Sequence, residues 1–131
     1  MSTRPRVLLA DDHMGVLVNA SNILRGEFDV VGAVTDGLAA VNAACELKPD
    51  LVVLDIGMPE LDGLDAAKEL RRRGSSARVV FLTVQEDAEY VAAALDCGGM
   101  AYVLKSRMYS DLSNAIGAAL SGAIFVSPRV I

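Results

Sequence analysis

Five short, largely apolar runs constrain this chain more than anything else in it, and the residues at which they stop matter as much as the runs themselves. They are Val7-Leu8-Leu9-Ala10 ahead of Asp11-Asp12, Phe28 to Val34, Leu51 to Leu54 ahead of Asp55, Arg78 to Leu82 ahead of Thr83, and Ala101 to Leu104 ahead of Lys105. Short apolar runs without polar alternation read as strands buried on both faces. Between them the period changes to that of a helix. Val16, Leu17, Ala20, Ile23 and Leu24 share one face, and Gly26 closes that segment. Leu38, Val41 and Cys45 form a second stripe, with Thr35 or Asp36 as its cap. Leu64, Ala67 and Leu70 precede Arg71-Arg72-Arg73-Gly74, a basic last turn that suits the helix dipole. Tyr90, Val91, Ala94 and Leu95 lie on one side of a helix from Glu86 to Leu95, and Leu112, Ile116 and Leu120 are in register within Asp111 to Leu120. Strand and helix in alternation predict one α/β domain, a doubly wound parallel sheet of five strands with five helices and right-handed crossovers.

A length of 131 residues suits a single domain, and 53% apolar residues suffice for a core. No apolar run reaches the roughly 18 residues of a membrane span. The start, Met1 to Arg6, has no apolar stretch of signal-peptide type. A cytoplasmic protein is expected. The net charge of −5 makes the domain a poor direct binder of nucleic acid, whose affinity comes from basic groups on phosphates. Cys45 and Cys97 have no metal or redox spacing and read as buried free thiols. The single histidine, His13, excludes a multi-histidine metal centre.

In an open parallel sheet, chemistry collects at the carboxyl ends of the strands. Asp11, Asp12, Asp55, Thr83 and Lys105 all fall there. With strand order 2-1-3-4-5 the first and third strands are neighbours, and Asp11, Asp12 and Asp55 crowd together. Three carboxylates in one cleft repel unless a cation joins them, and oxygen ligands favour a hard ion such as Mg²⁺. Lys105 can approach a phosphoryl group as a point charge, Thr83 can donate a hydroxyl, and Asp55 is left as the nucleophile. Each residue alone has an ordinary structural role: a cap for Asp11-Asp12, a solvated surface group for Lys105, a strand-end hydroxyl for Thr83. Those separate roles do not predict their coincidence at four strand ends.

The ordered set Asp11-Asp12, Asp55 with Met58-Pro59 and Gly63, Thr83 and Lys105 resembles the receiver domain of two-component response regulators, over about Arg6 to Ser121. The resemblance implies a flavodoxin-like fold and a phosphoacceptor at Asp55. It implies Mg²⁺ or Mn²⁺ held by Asp11, Asp12, Asp55 and the backbone carbonyl of Gly57, and a switch pair of Thr83 and Tyr102 beside Lys105. It further implies a sensor histidine kinase as phosphodonor, a changed surface over the fourth helix, fifth strand and fifth helix, and no turnover of an outside substrate. Asp11-Asp12-His13, Gly98-Gly99-Met100-Ala101-Tyr102 and Gly122 to Pro128 are most similar to the NarL/FixJ branch. That branch carries a C-terminal LuxR-type helix-turn-helix that binds DNA. Residues 1–121 are then the receiver, and 122–131, with Pro128 and Arg129, a linker toward a DNA-binding domain outside this chain.

Two departures stand out. Ser106 follows Lys105 where many receivers have proline, so a trans bond is expected. Gly57 offers attacking water no polar side chain to orient it. His13 reads as a first-turn helix residue beside the acidic pair rather than a ligand or phosphodonor. A partly apolar face of Tyr90, Val91, Tyr102, Leu104 and Ala118 leaves room for a homodimer, without assigning the helices that would form its interface. Other readings remain: a docking module that ignores phosphorylation, a phosphatase of the haloacid-dehalogenase type, or a nucleotide carrier. Gly57 stands where such a phosphatase has a second Asp, and Asp11-Asp12-His13 is opposite in charge to a phosphate-binding loop.

Overall fold

In the computed structural model, which describes residues 4–128, the apolar runs pair side by side as parallel strands. In chain order the elements are β1 (Arg6–Ala10), α1 (Met14–Leu24), β2 (Asp29–Val34), α2 (Gly37–Leu47), β3 (Leu51–Leu54) and α3 (Gly63–Arg72). They continue with β4 (Arg78–Thr83), α4 (Ala88–Asp96), β5 (Gly99–Leu104), a 3₁₀ turn over Lys105–Arg107, α5 (Met108–Leu120) and β6 (Phe125–Val126). The sheet order is β2-β1-β3-β4-β5-β6. The first five strands take the expected order. The expected count of five is corrected to six, because Phe125 and Val126 pair with Ala101 and Tyr102 on the free edge of β5. Two residues are too few to carry a periodic signal, so this strand was hidden in the segment read as a linker. Met1 to Thr3 of the polar start, and Arg129, lie outside the described residues.

Side chains alternate across the sheet, as the period of two requires. Leu8, Ala10, Val52, Leu54, Phe81, Tyr102 and Leu104 meet Ala40, Val41, Ala44, Ala66, Ala67, Leu70 and Ala94 on one face. Val7, Leu9, Leu51, Val53, Val80, Leu82, Ala101 and Val103 meet Leu17, Ala20, Leu24, Leu112, Ala115, Ile116 and Ala119 on the other. Each buried Leu contributes about 2 kcal/mol of apolar transfer. Alanines dominate the α2–α4 side, so backbone there approaches the sheet closely.

Some helical stripes differ from the expected ones. On α2 the buried set is Gly37, Ala40, Val41 and Ala44, while Leu38 and Cys45 are exposed. Cys45 is therefore not a buried thiol, although Cys97 is. Asp36 is the cap of α2, its carboxylate accepting from Ala39 N at 2.7 Å, and Asp62 does the same for α3 through Asp65 N at 2.8 Å. Tyr102 and Leu104 are fully buried, so the dimer face drawn through them is not a surface. Strand hydrophobicity served the core first.

Candidate functional site

The site is assembled by strand register. Ala10 stands opposite Leu54, and Asp55 N donates to Ala10 O at 3.1 Å, which sets Asp11 and Asp55 side by side where β1 and β3 end. Thr83 stands opposite Leu104, so the end of β4 adjoins the residue before Lys105. All four strand ends open on one rim, as the parallel topology requires.

Ligand atoms of Asp11, Asp12, His13 and Asp55 lie within 4.8 Å of one another. Asp11 and Asp55 are buried, whereas Asp12 and His13 are exposed. His13 is the residue before α1 rather than within its first turn. Its amide donates to Asp11 Oδ1 at 2.8 Å, and its Nδ1 sits 3.2 Å from carboxylate oxygens of both Asp11 and Asp12. Lys105, its side chain 12% exposed, bridges the buried pair, with Nζ 2.8 Å from Asp11 Oδ2 and 3.1 Å from Asp55 Oδ2. Burial works against the ammonium, but hydrogen bonds to Asp11 and then Asp55 outweigh it, and its pKa lies above the usual lysine value. Asp11 Oδ2 is fully buried, and the Lys105 ammonium at 2.8 Å is the group it faces. One ammonium against two buried carboxylates and a third at the rim leaves negative charge uncompensated. That donor set fits a hard divalent cation.

The loop after Asp55 is shaped by glycine. A side chain at Gly63 would overlap the carbonyl oxygen of Asp55, while Gly63 N donates to Ile56 O at 2.8 Å. Gly63 thus lets α3 begin directly against the site. Gly57 is exposed, has open space where a Cβ would stand, and its amide reaches Asp55 Oδ1 at 3.4 Å. No side chain at position 57 therefore covers the Asp55 carboxylate. Met58 is buried and anchors the loop. The Lys105–Ser106 bond is trans, since no cis peptide occurs among the described residues.

Thr83 is buried, and its hydroxyl accepts from Gln85 N at 3.3 Å. Gln85 O in turn accepts from the Tyr102 hydroxyl at 2.8 Å. The Tyr102 ring is fully inside, and burial chiefly raises its phenol well above the ordinary tyrosine range, so it stays a donor. Gln85 thereby links Thr83 to Tyr102 through backbone atoms alone. Sequence could not single it out, because any residue supplies that amide and carbonyl. Sequence also passed over Arg107, Asp111 and Ser127, a polar cluster behind Lys105 in which Asp111 and Ser127 are buried. The i,i+4 spacing of Arg107 and Asp111 was a visible signal. Ser127 had none.

The family model of the response regulator receiver domain matches residues 7–117. The transcriptional regulatory protein PdtaR of Mycobacterium tuberculosis is 41% identical over 117 residues, 88% of this chain and 57% of that protein. The response regulator protein VraR of Staphylococcus epidermidis is 34% identical over 128 residues, 96% of this chain and 61% of that protein. The chain thus spans somewhat over half the length of these curated relatives. Among solved structures, a LuxR-family two-component response regulator from an Aurantimonas species aligns with a TM-score of 0.92 at 29% identity, covering 98% of this chain and 93% of that one. The isolated receiver domain of RcsB from Salmonella enterica serovar Typhimurium, solved with the phosphomimetic BeF₃⁻, aligns at 0.88 with 28% identity, covering 98% and 96%. The chain belongs to the response regulator receiver family, and its structural neighbours include regulators of the LuxR and NarL type.

Proposed function

We propose that this receiver accepts a phosphoryl group on Asp55 from a sensor histidine kinase and passes the change to a transcriptional output. The observation that carries the reading is the convergence of Asp11, Asp12 and Asp55 within 4.8 Å, with Lys105 bonded to Asp55. A carboxylate oxygen of Asp55 attacks phosphorus, the P–N bond of the donor's phosphohistidine breaks, and the imidazole leaves with the electron pair and takes a proton from solvent. Asp11, Asp12, Asp55 and the Gly57 carbonyl would hold Mg²⁺ or Mn²⁺, which supplies charge neutralisation for the phosphoryl oxygens. Lys105 holds the incoming phosphoryl group by charge, and its raised pKa keeps it cationic at neutral pH. The product stays on the protein, so the domain turns over no outside substrate.

The readout begins at Thr83. When its hydroxyl turns to a phosphoryl oxygen, the Gln85 amide loses its acceptor, and the β4–α4 segment that holds the Tyr102 hydroxyl is freed to move. The affected surface is α4, β5 and α5. PdtaR and LiaR are named as transcriptional regulatory proteins, and a Staphylococcus aureus neighbour as a DNA-binding response regulator of the LuxR family, which supports an output on DNA through a helix-turn-helix domain in a cytoplasmic setting. Among the described residues no helix is long and apolar enough to cross a membrane. A regulated homodimer is part of this reading, since the RcsB neighbour is described as dimers bound to DNA.

Incubation with acetyl phosphate and Mg²⁺ followed by intact-mass measurement is the test. One phosphoryl adduct is expected on the native chain and none on Asp55→Asn. An unlabelled native chain, where a known receiver is labelled alongside, overturns the reading. Partner binding identical in native and Asp55→Asn chains would favour a docking module instead.

A further inference from the structure

Behind Lys105 lies a second polar cluster that the chemistry of Asp55 does not use. Asp111 of α5 is buried, its side chain 8% exposed. It accepts from Arg107 Nε at 2.8 Å, from Ser127 Oγ at 2.9 Å, and more weakly from Arg107 Nη2 at 3.4 Å and Ser110 Oγ at 3.2 Å. Ser127 is itself buried; its Oγ accepts from Leu104 N at 3.1 Å and its amide donates to Tyr102 O at 2.9 Å. The segment after α5 is therefore fastened to β5 at the switch tyrosine and at the residue before the phosphoryl-binding lysine. Lys105 and Arg107 are the two ends of one 3₁₀ turn. Lys105 reaches forward to Asp55 and Arg107 reaches back to Asp111.

We infer that Asp111 is a positioning residue that couples the Lys105 turn to the C-terminal strand, so that phosphorylation of Asp55 loosens the docking of residues 123–128. The inference rests on Asp55 being the phosphoacceptor. Lys105 Nζ is now 3.1 Å from Asp55 Oδ2, and a phosphoryl group placed between them pushes the ammonium outward. Lys105 and Arg107 share one three-residue turn, so whatever part of that shift the lysine side chain does not take up is passed to Arg107. The Arg107–Asp111 pair is then strained, and with it the Ser127 hydroxyl that holds Leu104 N. Any segment continuing past β6 would receive the change directly. By linkage, the effect runs both ways: what pulls on residues 123–128 changes how Lys105 is presented to Asp55.

Hydrogen exchange read by mass spectrometry tests this on the full chain, with and without beryllofluoride and Mg²⁺, while acetyl phosphate labelling is followed by intact mass in parallel. In the native chain, beryllofluoride is expected to speed exchange over residues 123–128 by about fivefold or more, the lower end of typical coupling between sites. Arg107→Gln keeps the Asp111–Ser127 bond but cuts the tie to the turn, and is expected to exchange at 123–128 alike in both states while still taking a phosphoryl adduct. Ser127→Ala is expected to exchange fast in both states. A purely structural cluster would shift both states equally, leaving the response to beryllofluoride intact. Unchanged or slower exchange at 123–128 in a native chain that labels fully overturns the coupling alone, as does an Arg107→Gln chain that responds like the native one. Absence of any adduct overturns the phosphoacceptor reading and this inference together.

Discussion

Two buried carboxylate centres flank the end of β5, and they are built on opposite plans. At the first, Asp11 and Asp55 share one ammonium, and Asp12 adds a third carboxylate at the rim. At the second, one carboxylate, Asp111, meets a guanidinium and two hydroxyls. Burial alone would push the Asp111 carboxyl up, but hydrogen bonds from Arg107 and Ser127 overcome it and hold the group below the usual carboxylate range. The first centre carries surplus negative charge, and the second is balanced. Surplus charge costs stability and is retained where an outside cation or phosphoryl group is to be received. Balanced charge, satisfied from within the chain, holds structure together. The contrast separates a site that takes a ligand from a joint that transmits its effect.

The sharpest way to break this contrast is to remove the shared cation. Lys105→Met leaves Asp11 and Asp55 facing each other in a buried cleft. In a chelator, unfolding free energy from urea denaturation is expected to fall by about 3 kcal/mol. Added Mg²⁺ is expected to recover most of that loss, because the ion replaces the missing positive charge. A Lys105→Met chain as stable as the native one, or one indifferent to Mg²⁺, would mean that the first centre is not short of cation.

The balanced centre should answer differently. Asp111→Asn keeps the shape but removes the charge that Arg107 meets. Arg107 is 33% exposed, so solvent screens part of the pair. A loss of about 1.5 kcal/mol is expected, the low end for a hydrogen bond to a charged group. The increment in stability that Mg²⁺ gives should equal that of the native chain. A variant whose Mg²⁺ response collapses would show that the two centres are one electrostatic unit rather than two.

What the sequence revealed of these centres follows from how each encodes itself. Asp11, Asp12, Asp55, Thr83 and Lys105 each terminate an apolar run, and strand ends in a parallel sheet share a rim, so one-dimensional order already implied their meeting. Gly63 was visible as part of a motif, and its reason emerged only when a Cβ there was seen to meet the Asp55 carbonyl. The second centre was only partly legible: Arg107 and Asp111 stand at helical spacing, but Ser127 gives no signal. Ser127 lies sixteen positions from Asp111 in the tail, and its docking depends on the two-residue strand β6, which has no period to detect. Leu38 and Cys45 misled because α2 packs through Gly37, Ala40, Val41 and Ala44, which turns Leu38 and Cys45 to solvent. Tyr102 was legible as a switch residue by resemblance, but its partner, the Gln85 carbonyl, is backbone and has no sequence identity to read.

Acid titration gives the smallest expected effect and the finest test of the balanced centre. An unfolded aspartate titrates near 3.9, as a model carboxyl does (about 3.9), and folded Asp111 titrates lower because Arg107 and Ser127 favour its anion. A carboxyl held down on folding adds stability that is whole above the unfolded value and disappears as pH falls through the folded one. Asn at this position cannot titrate. The stability difference between native and Asp111→Asn chains, measured in a chelator by urea denaturation, should therefore be constant from neutral pH to about 5 and narrow as pH drops below about 4. Groups common to both chains cancel in the difference. A difference that stays flat to pH 2 would mean that the Asn substitution acts through packing rather than charge. One that widens in acid would mean that folded Asp111 binds its proton more tightly than the unfolded chain does, the reverse of what its guanidinium and hydroxyl partners dictate.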